Sequence, residues 1–232
     1  MRIAETFVSI QGEGLLVGTP SSFVRTTGCN LRCAYCDTPE TSWSPVGVRR
    51  TVDDLVAFCA EGPRHVVVTG GEPLLQPAVG PFVARLRRAG HHVTIETAAT
   101  VAPVDVSADL WSLSPKLAFA TPDGRHAARH DALRHRPEIV RALMARGPWQ
   151  LKFVVRAAEP ATLAADVAEV EASIAAYGVR DADRPRVLLM AEGTDPDGLE
   201  RAERLLAPVC IEHGFTLGQR LHIRLFGHRP GT

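Results

Sequence analysis

The chain has 232 residues, 45% of them hydrophobic and 22% charged, a composition that excludes a disordered segment or a collagen-like fibre and fits one ordinary domain. Its 26 Lys and Arg balance 26 Asp and Glu, so it lacks the basic excess with which a nucleic-acid binder neutralises phosphates; a small ligand held in a pocket is expected. No uncharged apolar run approaches the ~18–20 residues that span a bilayer, and Met1-Arg2-Ile3-Ala4-Glu5 lacks the features of a signal peptide, so the sequence reads as cytoplasmic and not membrane-bound.

Residues 5–10 open the chain with a strand-length apolar stretch, and 22–26 (SFVRT) form the next. Thr51 with Asp54 carries a capping-box signature, followed by Val52, Leu55, Val56 and Cys59 on one helical face and by Gly62 as a stop. Residues 65–69 (HVVVT) predict a buried strand, and Val79, Phe82, Val83 and Leu86 a second helix ending at Gly90. Strands follow at 93–96 and 110–113, then an Arg-, His-, Pro- and Gly-rich stretch from Ala120 to Pro137 that reads as an exposed crossover or lid. Residues 150–155 (QLKFVV) and 186–190 (RVLLM) predict two more strands, each followed by a helix. One runs through Leu163, Val167, Val170, Ile174 and Tyr177 to Gly178, the other through Leu199, Ala202, Leu206, Val209 and His213 to Gly214. Residues 221–225 read as a last strand. Alternating strand and helix predicts βαβ units around a parallel sheet, either doubly wound or an incomplete (β/α) barrel, and the pattern alone leaves both open.

Five cysteines are present, an odd number, and three crowd into Thr27-Gly28-Cys29-Asn30-Leu31-Arg32-Cys33-Ala34-Tyr35-Cys36-Asp37-Thr38. Neighbours this close make a poor disulfide framework and point to reduced thiols with metal or redox chemistry. Four thiolates would close a tetrahedral zinc site or ligate an iron–sulfur cluster fully, whereas three leave one position open. A zinc knuckle borrowing a histidine, or three unconnected thiols, fits the same spacing. Cys59 and Cys210 fall on apolar helix faces and read as core residues. A second motif, Thr69-Gly70-Gly71-Glu72-Pro73, follows the strand HVVV; paired glycines there allow a ligand close to the backbone, though a tight turn would look the same. Ser114-Pro115-Lys116 also follows a strand end.

The cysteine segment resembles the signature of radical S-adenosylmethionine enzymes, C-x3-C-x-Φ-C, with Tyr35 as the aromatic Φ. The resemblance implies a 4Fe–4S cluster on Cys29, Cys33 and Cys36, whose fourth iron is chelated by the amino and carboxylate groups of S-adenosylmethionine. It also implies an α/β fold of the incomplete (β/α) barrel type, a single domain over residues 1–232 with a short C-terminal extension. The GGEP stretch is similar to the superfamily loop that binds the methionine amino group.

The flanking residues narrow the resemblance. Ile10-Gln11-Gly12-Glu13-Gly14, Phe23-Val24-Arg25, the Cys36-Asp37-Thr38 triplet and the C-terminal Leu221-His222 with Phe226-Gly227 resemble the 7-carboxy-7-deazaguanine synthase family. That family converts 6-carboxy-5,6,7,8-tetrahydropterin to 7-carboxy-7-deazaguanine with loss of ammonia, a carbon–nitrogen lyase reaction on the route to queuosine. Carried over by position, the resemblance assigns Thr38 to Mg2+, and Tyr35, Asp37, Gly71, Glu72, Ser114, Pro115, Lys116, Leu189, Met190, Ala191 and Glu192 to S-adenosylmethionine. It assigns Ile10, Gln11, Gly12, Glu13, Arg25, Thr69 and His222 to the pterin. Arg25 suits a carboxylate through its planar fork, whereas His222 fits a core histidine equally well. The resemblance further implies an electron donor of the flavodoxin or ferredoxin type and a homodimer, and gives no role to the tail from His228 to Thr232. Two other readings are open: a small radical activase that installs a glycyl radical on a partner protein, which leaves QGEG and Arg25 unexplained, and a zinc-stabilised binding module.

Overall fold

An antiparallel hairpin at the N-terminus feeds a sheet that then runs parallel to its end. The computed structural model describes residues 1–102 and 105–232. In chain order the elements are β1 (Arg2–Ile10), β2 (Pro20–Thr26), α1 (Pro39–Ser42), β3 (Val48–Arg49), α2 (Val52–Ala60), β4 (His65–Gly70), α3 (Val79–Arg88), β5 (His92–Thr97) and β6 (Leu110–Leu113). They continue with α4 (Ala127–Arg134), α5 (Pro137–Met144), β7 (Trp149–Val155), α6 (Pro160–Tyr177), β8 (Val187–Ala191), α7 (Pro196–His213), β9 (Thr216–Gly218) and α8 (Leu221–Phe226).

Among the described residues the strands form one sheet in the order β3-β1-β2-β4-β5-β6-β7-β8-β9. From β2 onward every neighbouring pair is parallel. A doubly wound sheet reverses its strand order at a switch point; here, beyond the short edge strand β3, the order only advances from β1 to β9, which selects the incomplete barrel. The predicted first strand pairs antiparallel with both β2 and β3, a departure from the all-parallel expectation. Residues 11–19 are its whole connection to β2, shorter than the roughly dozen residues a parallel crossover needs.

Two further expectations are corrected. Residues 221–225 form α8, with the Gly227 N–H returning to the Ile223 carbonyl at 2.8 Å, and the last strand is Thr216–Gly218. Five residues of mixed polarity are too few for alternation to distinguish strand from helix turn; only Ile223 of the run is fully buried. The Ala120-to-Pro137 stretch is more than an exposed crossover, since it contains α4, whose His130 is 1% exposed. The predicted helix signals hold elsewhere: Thr51 and Asp54 form the reciprocal capping box of α2, and Gly178 and Gly214 close α6 and α7 in the left-handed conformation.

Period-two alternation sorts the strand residues between two faces. Val66, Val68, Ile95, Leu113, Leu151, Phe153 and Leu189 pack in the apolar core with Leu55, Phe82, Leu86, Leu143, Val170 and Leu206 of the helices. Cys59 and Cys210 lie in this core, their thiols pushed up to about 12 and about 11 by burial. The opposite face carries polar side chains: Arg25, Thr69, Glu96, Ser112, Gln150 and Lys152. That polar inner face builds the site.

Candidate active site

A cleft of about 770 Å³ opens where the parallel strands end. Cys29, Cys33 and Cys36 line one side of it, from the loop that follows β2. The loop is locked from beneath. Glu72 N–H donates to the Gly28 carbonyl at 2.9 Å and Gly71 N–H to that of Thr26 at 3.1 Å. A Cβ on Gly71 would stand 2.3 Å from the Gly28 carbonyl oxygen, so only glycine permits the two loops to meet. The Gly71 and Glu72 N–H groups are therefore engaged, and the Glu72 and Pro73 carbonyls accept from Leu75 and Gln76, which leaves the Gly71 carbonyl to offer an amino group.

Burial pushes the Cys29 thiol up to about 11 and that of Cys33 to about 12. Thiols so placed stay protonated until a metal takes them as thiolates. Among the described residues no three His, Cys, Asp or Glu side chains are arranged to hold a single metal ion. Three thiols from one loop suit a cluster that keeps one iron open for a chelating ligand. Cys36 Sγ also lies 3.1 Å from Ser42 Oγ.

Tyr35 stacks on Phe119 with centroids 4.9 Å apart, and Arg156 lies 4.6 Å over the other ring of that pair. Burial raises the Tyr35 hydroxyl well above its ordinary range, so the ring is a neutral flat surface at the cleft. Ser114, Lys116, Met190 and Glu192 also line the cleft, with Lys116 donating to Ser114 Oγ at 2.9 Å. The side chains of four assigned residues lie elsewhere. Leu189 and Ala191 point into the helix-side core, because neighbours on a strand cannot share a face. Pro115 is not part of the cleft lining, and Glu72 is fully buried beneath it. The Glu72 carboxylate accepts from Thr97 Oγ1 at 2.8 Å, Ala98 N–H at 3.0 Å and Leu74 N–H at 3.1 Å, which makes it an anchor of the loop.

At the far end of the cleft Ile10, Gln11, Gly12 and Glu13 rise from the connection between β1 and β2. Gln11 donates to Glu96 at 3.3 Å and accepts the Glu13 N–H at 3.2 Å. Thr69 Oγ1 donates to the second Glu96 oxygen at 3.0 Å. Gly12 packs so tightly under His222 that a Cβ there would fall 2.0 Å from the ring Nδ1. His222 lines the cleft, and burial lowers its basicity, which keeps the ring neutral. Arg25 donates through Nε to Glu5 at 2.6 Å and lies 5.6 Å over the Phe7 ring. Its two terminal nitrogens make no hydrogen bond to the described residues, and they belong to a side chain that lines the cleft.

Sequence reasoning missed the charges that organise this end. Lys152, 4% exposed at its side chain, pairs with Glu13 at 2.9 Å and Glu96 at 3.1 Å. Arg220 pairs with Glu13 and with Asp37, and donates to the Gly193 carbonyl at 2.7 Å. Burial alone would raise the Glu13 carboxyl, but Lys152 and Arg220 outweigh it and hold the group below the ordinary carboxylate range. A lone lysine inside the apolar run QLKFVV was a readable signal. The tail is also placed: His228, Arg229, Pro230 and Thr232 line the cleft, and His228 Nε2 lies 3.2 Å from the Asp37 carbonyl. Thr38 Oγ1 faces the same space with only long contacts, 3.4 Å from Thr41 and 3.5 Å from Asp37.

The profile of the Radical SAM superfamily matches residues 23–113. The chain is 44% identical to a 7-carboxy-7-deazaguanine synthase from Rhodopirellula baltica, over 99% of its own length and 88% of the relative's. It is 43% identical to one from Halobacterium salinarum, over 99% and 92% of the two chains. Among solved structures, that of QueE from Escherichia coli superposes with a TM-score of 0.64 at 25% identity, covering 95% of this chain and 94% of the other.

Proposed function

Because the chain belongs to the 7-carboxy-7-deazaguanine synthase family of radical S-adenosylmethionine enzymes, we propose that its cleft holds the cluster, the cofactor and a pterin side by side. The chain is a radical S-adenosylmethionine lyase that forms 7-carboxy-7-deazaguanine in queuosine and deazapurine biosynthesis. The substrate is 6-carboxy-5,6,7,8-tetrahydropterin, which loses ammonia as its ring contracts. Cys29, Cys33 and Cys36 would hold the 4Fe–4S cluster. When bound, the cluster and S-adenosylmethionine would supply a 5′-deoxyadenosyl radical for hydrogen abstraction at C6 of the pterin.

The chain's own residues orient and enclose. Tyr35 offers its ring to the adenine, with Phe119 behind it. The Gly71 carbonyl accepts from the methionine amino group, while Ser114, Lys116, Met190 and Glu192 border the same cofactor. The terminal nitrogens of Arg25 take the C6 carboxylate, a bidentate match of planar groups. Gln11 and the Glu13 and Glu96 carboxylates offer acceptors to the N–H edge of the heterocycle, and His222 closes that end as a neutral ring. Thr38 gives a neutral oxygen to Mg2+, a hard ion that retains waters and would complete its shell with them and with substrate oxygens. On this reading the chain acts as one domain, in the cytoplasm, as a homodimer reduced by a flavodoxin- or ferredoxin-type protein. Among the described residues no helix is long and apolar enough to cross a membrane.

The observation that carries this reading is the meeting, in one cleft, of the three-thiol loop with Arg25 and the Glu13, Glu96 and Lys152 cluster. A glycyl-radical activase has no use for this group of charged side chains set beside the three thiols. The reading is tested by anaerobic reconstitution with iron and sulfide, followed by incubation with reductant, Mg2+, S-adenosylmethionine and the pterin. Mass spectrometry should find a product lighter by ammonia. Deoxyadenosine without that product would overturn the substrate assignment.

A further inference from the structure

Arg220 spans the cleft from its polar end to the cluster loop. The turn that carries it belongs to the polar end: Leu221 N–H donates to the Gly12 carbonyl at 2.8 Å, and the His222 ring covers Gly12. From that turn the guanidinium reaches three acceptors on three segments. Its Nε donates to Glu13 in the connection between β1 and β2 at 3.2 Å, and Nη1 donates to the Gly193 carbonyl beyond β8 at 2.7 Å. Nη2 pairs with the Asp37 carboxylate, next to Cys36 in the cluster loop. Among the described residues no other side chain hydrogen-bonds to both the 11–19 connection and the cluster loop, and no hydrogen bond joins those two segments directly.

Neutralising Glu13 does not account for this geometry. Lys152 already holds the other Glu13 oxygen at 2.9 Å, so Glu13 keeps a cation without Arg220. Asp37 does not. Its carboxylate, 44% exposed, otherwise meets only Thr38 Oγ1, at 3.5 Å. The Arg220 side chain is 9% exposed and spends all three of its nitrogens on separate segments. A rigid planar fork held this way transmits the position of one acceptor to the other two.

We infer that Arg220 is a positioning residue that couples pterin binding to cofactor binding, through its bridge from Glu13 to Asp37 and the Gly193 carbonyl. This rests on the radical reading above, which sets the pterin against Glu13 and the cofactor against Asp37 and Glu192. Whichever ligand arrives first fixes the guanidinium, and the second then meets a site whose ordering cost has already been met. Linkage requires each ligand to raise the affinity of the other by the same factor.

The test titrates S-adenosylmethionine by calorimetry into the reconstituted holoenzyme, with the cluster left oxidised so that nothing is cleaved. It is run with and without saturating 6-carboxytetrahydropterin. The wild type should bind the cofactor on the order of tenfold more tightly with the pterin present, and the reverse titration should return the same factor. Arg220→Gln should bring that factor to within about twofold of one, with iron content and circular dichroism unchanged. Arg220→Lys keeps the charge but not the fork and should leave the factor equally low; its recovery would assign the effect to charge and overturn the bridge. Asp37→Ala breaks only the cluster-side arm and should also lower the factor, which decides the matter if Arg220→Gln does not fold. A wild-type factor of one, or a wild-type factor retained in either the Arg220→Gln or the Asp37→Ala protein, would overturn the proposal. A fully loaded wild-type holoenzyme that binds no cofactor would overturn the radical reading itself, and one that binds cofactor but no pterin would overturn the substrate assignment.

Discussion

Lys152 on β7 reaches across the cleft to Glu13, 139 positions earlier in the chain, and holds its carboxylate at 2.9 Å. The same ammonium lies 3.1 Å from Glu96, so one lysine serves two acids that would otherwise repel each other at the polar end of the cleft. Replacing it with methionine keeps the volume and removes the charge. Lys152→Met should cost roughly 3 kcal/mol, the range for breaking a buried pair. For a chain of this size that lowers Tm by about 6–12 °C. Adding Glu96→Gln should restore part of the loss, which a double-mutant cycle by calorimetry would measure; strict additivity would deny the coupling.

Arg25 separates binding from cluster chemistry. Its Nε is held by Glu5 at 2.6 Å, leaving the two terminal nitrogens for the substrate. Arg25→Ala should retain iron and sulfide and raise KM for the pterin about 10- to 100-fold, the worth of a charge-assisted bidentate contact. Steady-state kinetics beside an iron assay checks both. Normal turnover at low pterin would remove Arg25 from the substrate site.

Cys33→Ala tests the donor set. The residue contributes a thiol to the cleft and a carbonyl to Trp43, and only the thiol is lost. The variant should remain folded by circular dichroism while cluster absorbance and cofactor cleavage disappear together. A fully loaded cluster in this variant would contradict the three-cysteine assignment.

A pH effect is expected far from the chemistry. His65 is 5% exposed, with Nδ1 2.7 Å from Ser21 Oγ and Nε2 2.8 Å from Thr94 Oγ1. Burial, aided by neighbouring His92, brings its pKa down to about 4 from 6.5. Between those values the unfolded chain binds the proton and the folded chain does not, so stability rises with pH through that window. The contribution is complete above about pH 6.5 and falls by on the order of 3 kcal/mol as pH drops to 4. Urea midpoints measured across this range should show a slope that His65→Gln reduces. An unchanged slope in the variant would assign the acid sensitivity to other groups.

Local chemistry was legible from residues alone. The α2 capping box and the two glycine-capped long helices each depend on a few adjacent residues and stand where their pattern pointed, and the cysteine loop, Gly70-Gly71 and Arg25 meet at one cleft. What depended on register was not legible. Lys152, Glu96 and Arg220 come from separate segments and meet only once β5 and β7 turn their polar faces inward and the turn before α8 folds back over them. Along Leu189 to Glu192 alternation turns only Met190 and Glu192 side chains to the cleft, so Leu189 and Ala191 can meet a cofactor there only through their backbone. The stretch from Ala120 to Pro137 misled through its composition: His130 reads as a surface residue until Arg32 is seen donating to it.

The central claim is that the cleft presents C6 of the pterin to the cofactor radical. The most direct measurement is a reaction with 6-carboxytetrahydropterin deuterated at C6, with deoxyadenosine and recovered S-adenosylmethionine analysed by mass spectrometry. The account predicts deuterium in the 5′ position of the nucleoside in the wild-type holoenzyme. Deazaguanine formed with no deuterium in either species would contradict it, because hydrogen would then have left C6 by another route.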